Sequence, residues 1–107
     1  MDILEVKEIF AKSLFSTIGI TKVHPLTFDE NFTTDEAIAL DDEKLLDYIY
    51  VDKTDLGWNF QIGLSILDGI QTKFIATQLN QNVTNALKRK KQKLDKLTII
   101  FRGVINE

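Results

Sequence analysis

Few residues in this chain could carry covalent or metal chemistry. His24 is the single histidine, and cysteine is absent. A transition-metal site at His24 would need carboxylates alone around it, because thiolates and a second imidazole are missing. Serine nucleophiles need a base beside the hydroxyl, and Gly63-Leu64-Ser65 lacks the second glycine of a nucleophile elbow. A histidine before Pro25 reads as a surface or loop residue. Asp41-Asp42-Glu43 invites a calcium reading, but an EF-type loop requires glycine sixth and glutamate twelfth. From Asp41 those positions hold Leu46 and Asp52; from Asp52 they hold Gly57 and Gly63. The acids therefore read as a solvated loop. Glycines stand singly at 19, 57, 63, 69 and 103, so neither glycine-rich phosphate fingerprint is present. These residues predict no catalytic group, no metal and no cofactor.

Charge gives the stronger signal. Lys88, Arg89, Lys90, Lys91 and Lys93 form a basic run, with Lys96 and Arg102 behind it. Including Asp95, Lys88–Arg102 carries +6. Between Asp29 and Asp55 stand ten acids and two lysines, leaving −8. The formal net charge of −3 is what remains when these regions nearly cancel. A run of this kind fits an anionic partner, either RNA phosphates or an anionic membrane surface. It also fits a solvated helix end, where the dipole favours cations. The acidic and basic regions could meet head to tail between molecules, or fold together within one.

The elements that would position these residues follow from hydrophobic spacing. Asp2 with Glu5 starts a helix over Ile3–Ile18, with Val6, Phe10 and Leu14 on its stripe and Ile3, Ile9 and Ile18 beside them. Gly19 stops it. Ile20–His24 is a short strand, bounded by Pro25. Residues 26–44 read as an acidic loop insertion, with a small helix beginning near Thr33 or Thr34 and including Ala37–Leu40. Leu45–Asp52 and Trp58–Leu67 read as a hairpin joined through Lys53–Gly57. The second strand alternates: Trp58, Phe60, Ile62, Leu64 and Ile66 face one way, and Asn59, Gln61, Gly63 and Ser65 the other. A second helix spans about Thr72–Lys90, with Ile75, Leu79, Val83 and Ala86/Leu87 on one stripe. Leu97–Ile105 closes as a strand, where Ile100 breaks the alternation and implies partial cover on the second face.

At 107 residues and 44% apolar, the chain is long enough for one domain with a real core. The order is α-β-β-β-α-β, and the predicted fold is a two-layer α+β domain over residues 1–107. It would have a small mixed sheet of 3–4 strands under two helices on one face. This order is KH-like, but the Gly-x-x-Gly loop with which KH modules clamp RNA is missing. Trp58, Phe60 and Phe101 read as core rather than as base-stacking aromatics. No apolar run approaches the roughly 20 residues of a membrane span, and Met1–Phe10 carries three acids, unlike a signal peptide. The lack of cysteine fits a reducing compartment.

One family pattern lies in the second half of the chain. An apolar strand ends at Gly69, a helix core reads Leu79-Asn80-Gln81-Asn82-Val83, and the closing strand runs from Leu94 to Gly103-Val104. This spacing resembles the small bacterial alkaline-shock, or general-stress, proteins of the cell envelope. Gly19-Ile20 after the first helix resembles the family's opening more loosely. Two departures stand out. Asn80 replaces the family's usual glutamine, and Lys91-Gln92-Lys93 replaces its Thr-Gly-Leu step, so the basic run is particular to this chain. The resemblance implies a non-enzymatic stress-response protein, cytoplasmic or peripheral at the inner face of the membrane. It implies protein–protein contacts, a membrane-anchored partner and self-association. The alternative is a KH-like RNA- or ribosome-associated module using residues 88–93.

Overall fold

The computed structural model describes residues 1–26 and 37–105. The element order is α1 (Ile3–Phe15), β1 (Ile20–His24), β2 (Ile38–Ala39), a 3-10 turn (Leu45–Tyr48), β3 (Tyr50–Thr54), β4 (Gly57–Leu67), α2 (Thr72–Arg89) and β5 (Leu94–Ile105). It is an α+β fold with two helices and a five-stranded mixed sheet.

β4 is the axis of the sheet. Along one edge it pairs in parallel with β5, from Trp58↔Leu94 to Leu67↔Ile105. Its other edge is shared by two antiparallel strands. β3 takes the first half through Thr54↔Gly57 to Tyr50↔Gln61, and β1 takes the second through His24↔Gly63 to Ile20↔Ile66. β2 adds to β1 through Lys22↔Ala39 and Val23↔Ile38. The parallel β4–β5 pairing is the outcome expected of a helical crossover between them.

The expected core face is present. Phe60, Ile62 and Leu64 are fully buried against Val6, Phe10 and Leu14 of α1 and Ile75, Leu79, Val83 and Leu87 of α2. The rings of Phe10 and Phe60 stack with centroids 4.7 Å apart and planes 11° apart. Leu97, Ile99 and Phe101 of β5 pack on the same core, beside Phe60, Ile62 and Leu64 in the ladder. Ile100 sits opposite Gly63 on the helix-free face, which no helix of the described residues covers, and is half-buried there, as the broken alternation implied.

Several expectations are corrected. α1 is capped by Asp2, whose carboxylate accepts from the Glu5 N–H at 2.8 Å, but the helix ends at Phe15, not Ile18. Near its end the Ser13, Ser16 and Thr17 hydroxyls donate to carbonyls one turn back, at 3.0, 3.1 and 2.8 Å. Such bonds compete with helix propagation, and Ile18 is left 78% exposed. Gly19 then takes φ +104°, and a Cβ there would lie 2.6 Å from the Ile70 side chain.

Leu45–Tyr48 is a 3-10 turn rather than the start of a strand. It buries Leu45 and Ile49 four residues apart, and the Asp42 carboxylate accepts from the Lys44 N–H at 2.9 Å. The hairpin loop is only Asp55–Leu56, since Thr54 already pairs with Gly57. The sheet has five strands, not 3–4, because Ile38–Ala39 forms a short strand where a small helix was expected. The start of that expected helix and most of the acidic insertion lie outside the described residues. β5 begins at Leu94, three residues before the predicted Leu97.

The buried stack makes a quantitative expectation. Phe60→Ala should cost about 3–5 kcal/mol of folding free energy. Phe74→Ala, at a side chain 51% exposed, should change it by no more than about 0.5 kcal/mol. Urea denaturation measures both, and equal losses would mean that the buried face is misassigned.

Candidate functional site

The seven predicted bases do not form one patch. Lys88, Arg89, Lys90, Lys91 and Lys93 gather at the corner where α2 turns into β5. Lys96 and Arg102 lie further along β5. All seven are exposed, and among the described residues none forms an ion pair.

The corner owes its shape to the end of α2. The Gln92 N–H donates to the Leu87 carbonyl at 2.9 Å, and the Lys91 N–H to the Lys88 carbonyl at 3.0 Å. This pair of bonds is a Schellman cap, which places one residue in the left-handed region. That residue is Lys91, at φ +58°. Glycine is the usual occupant, and a side chain there costs about 1 kcal/mol.

The connection is then pinned to the sheet. Trp58 Nε1 donates to Gln92 Oε1 at 3.0 Å, and the Trp58 N–H to the Lys93 carbonyl at 2.9 Å. Thr54 Oγ1 donates to Asp95 Oδ2 at 2.7 Å. At Gly57, φ +144°, a Cβ would sit 2.5 Å from the Lys93 carbonyl oxygen, so the approach requires glycine. The result is an open groove of about 450 Å³ lined by Leu56 and Leu94 together with Lys88, Lys91 and Lys93. Leu56 is 74% exposed. Lys53 stands nearby, its Nζ 4.6 Å from the centroid of the Trp58 ring. This apolar and cationic lining suits a ligand with both an apolar group and negative charge.

The second basic group forms on the helix-free face. Arg102 is an extra residue in the ladder, between Leu64↔Phe101 and Ser65↔Gly103. Its Cγ lies 3.5 Å from where a Gly63 Cβ would be, and the His24 Cβ lies 3.4 Å from the same point. His24 Nε2 is hydrogen-bonded to Ser65 Oγ, and Lys22 stands opposite Ser65 on β1. Burial, then the charges of Arg102 and Lys22, hold the His24 imidazole below its ordinary value of 6.5. Among the described residues the His24–Ser65 contact lacks the third member of a nucleophilic triad. Ser65 is 97% covered, at 3% exposure, and among the described residues no carboxylate orients the imidazole. Among the described residues no His, Asp and Glu side chains cluster in a set able to hold a metal ion.

Sequence reading named His24 and Arg102 separately and missed Lys22. Lys22 and His24 are two apart on one strand and so share a face, which was the available signal. Their meeting with Arg102 depends on strand order. Trp58 and Phe60 are buried, and Phe101 packs on the core, as expected.

No family model, no curated protein and no solved structure matches this chain. Among the described residues no helix is long and apolar enough to cross a membrane.

Two outcomes follow from this geometry. Lys91→Gly should raise stability by about 0.5–1 kcal/mol in urea denaturation by relieving the left-handed lysine; a loss would mean that the cap tolerates Lys91 without strain. His24 is depressed in the folded state, so the unfolded chain takes up the proton first as pH falls. Its contribution is fully present above the ordinary value of 6.5 and shrinks as pH drops below it toward the folded value. The melting temperature of the wild type should therefore fall relative to His24→Gln on acidification from neutral pH. Parallel profiles would exclude the depressed imidazole.

Proposed function

We propose that this chain is a non-enzymatic interaction protein of the envelope-stress type, which docks a protein partner at the basic corner. The single observation that carries this reading is the groove itself. Exposed Leu56 and half-buried Leu94 line it together with Lys88, Lys91 and Lys93, which form no ion pair among the described residues. An acidic protein segment bearing an apolar side chain would pack on the leucines and pair with the lysines. Such a contact gains area burial from the leucines and rate and selectivity from the lysines.

The strained Lys91 supports the reading. Keeping a lysine where glycine would be relaxed is expected where the charge is used. The resemblance to alkaline-shock proteins supplies the rest of the proposal: a cytoplasmic protein, self-associating and held at the inner face of the membrane by an anchored partner. RNA is the competing partner class. A KH-like use of the basic run would gain little from stacking, since Trp58, Phe60 and Phe101 are turned into the core.

The test is affinity capture from nuclease-treated native lysate. The bait is the wild-type chain or a Lys88→Gln/Lys91→Gln/Lys93→Gln variant. The wild type should retain an envelope-linked protein, with yield falling steeply as salt rises, and the variant should lose it. Recovery of RNA or ribosomes alone in untreated lysate, with no protein partner after nuclease, would overturn the reading in favour of the RNA module.

A further inference from the structure

The helix-free face holds a cluster that the basic corner does not explain. Lys22 and His24 on β1, Ser65 on β4 and Arg102 on β5 meet across three neighbouring strands. Two irregularities bring them together. On β1 the register shifts between Ile20 and Lys22, leaving Thr21 extra. Ile20 and Val23 thus both face the core, while Lys22 and His24 turn outward. On β5 the shift leaves Arg102 extra and lays it over Gly63. Bulges of this kind re-aim side chains and are enriched beside functional sites. Here two of them, on opposite edges of β4, bring His24 and Arg102 together over Gly63 and set Lys22 opposite Ser65 on the same face.

The spot is also cleared for them. Gly63 carries no side chain, and a Cβ there would press within 3.2 Å of the His24 carbonyl oxygen. Gly103, opposite Ser65, leaves the neighbouring position on β5 open. Ser65 is buried beneath, its hydroxyl bound to His24. Among the described residues no carboxylate pairs with Lys22, His24 or Arg102. Unpaired like charges repel, and their arrangement is stabilised by an anion placed between them. The guanidinium fork of Arg102 matches the geometry of a tetrahedral oxyanion, and Lys22 adds a point charge.

We propose that Lys22, His24, Ser65 and Arg102 form a binding site for a phosphate-class oxyanion, free or as a phosphate ester. The site is independent of the corner groove. Arg102 holds the anion in two parallel hydrogen bonds, Lys22 neutralises it, and His24 becomes a cationic donor as the anion counters its neighbours' charge. Ser65 holds the imidazole in place from below.

Because His24 is the only histidine, its ring C–H resonances report this site alone. They should be followed by NMR in a phosphate-free buffer as inorganic phosphate is added. A saturable shift is expected, together with an upward move of the His24 titration midpoint. Arg102→Gln should weaken phosphate roughly tenfold. Lys88→Gln/Lys91→Gln/Lys93→Gln, which removes the groove lysines, should leave phosphate binding unchanged, so failure of the corner proposal and of this one can be told apart. Parallel titrations with glycerol 3-phosphate, a short oligouridine and phosphatidylglycerol vesicles identify the source. Response to the monoester, the diester or the bilayer alone supports the site and names its ligand. No shift with inorganic phosphate or with any of the three phosphate esters, or a shift that chloride at equal ionic strength reproduces, overturns the proposal. So does an unchanged affinity in a folded Arg102→Gln variant.

Discussion

Strand β4 is paired on both edges along its length, and its two faces are chemically opposite. That constraint organises the rest of the molecule. Its even-numbered side chains from Trp58 to Ile66 must be removed from water, and α1 and α2 cover them, joined by Leu45 and Ile49 around the 3-10 turn. Both helices therefore lie on one side. The stacked Phe10–Phe60 pair is where α1 meets that face. Burying these side chains is the main source of stability, and it fixes register, since a one-residue slip of β4 would bring Asn59, Gln61 and Ser65 into the core.

The same constraint creates the functional surfaces. With both helices on one side, β4 turns Asn59, Gln61, Gly63 and Ser65 to the other face, and β1 and β3 share one edge end to end. The chain reaches β5 only by a helix, and that helix must stop where β4 begins. The Schellman cap, the Trp58–Gln92 bond and the tight approach at Gly57 bring the end of α2 against the start of β4. A basic helix end favoured by the dipole thereby becomes a corner beside the β3–β4 loop, and Leu56 supplies its apolar element. Charge and apolar surface meet there because the topology requires it.

Much of this was legible in the residues. Val6, Phe10 and Leu14 at four-residue spacing specified α1, and Ile75, Leu79, Val83 and Leu87 specified α2. The alternation from Trp58 to Ile66 specified β4 and its buried face. What was not legible depended on local hydrogen-bond competition or on long-range pairing. Serine and threonine back-bonding shortened α1 and exposed Ile18, although its spacing fitted the stripe. Tyr48 and Ile49 are strand-favouring by type, yet the chain turns there and buries Leu45 and Ile49 at once. Ile38–Ala39 pairs with β1, which propensity over two residues cannot announce. Bulges were the deepest obstacle at the sites. Each inserts one residue and shifts the phase, so period-2 reasoning puts Lys22 or Arg102 on the wrong side unless the bulge is known.

The two basic regions are also electrically separate. The corner lies at Gly57–Trp58, and the oxyanion cluster at Gly63–Ser65, five to eight residues along one extended strand. At about 3.3 Å per residue that is roughly 20 Å. Screening at physiological salt acts over about 8 Å, so the charge at one region is largely invisible at the other. A basic run read as a single patch from the sequence therefore divides into two sites with different chemistry. The corner offers lysines beside two leucines, where area and charge act together. The sheet face offers an arginine fork, a lysine and a titratable imidazole over a bare glycine, where directed hydrogen bonds dominate. A ligand suited to one is poorly suited to the other, and occupancy of one leaves the electrostatics of the other nearly unchanged.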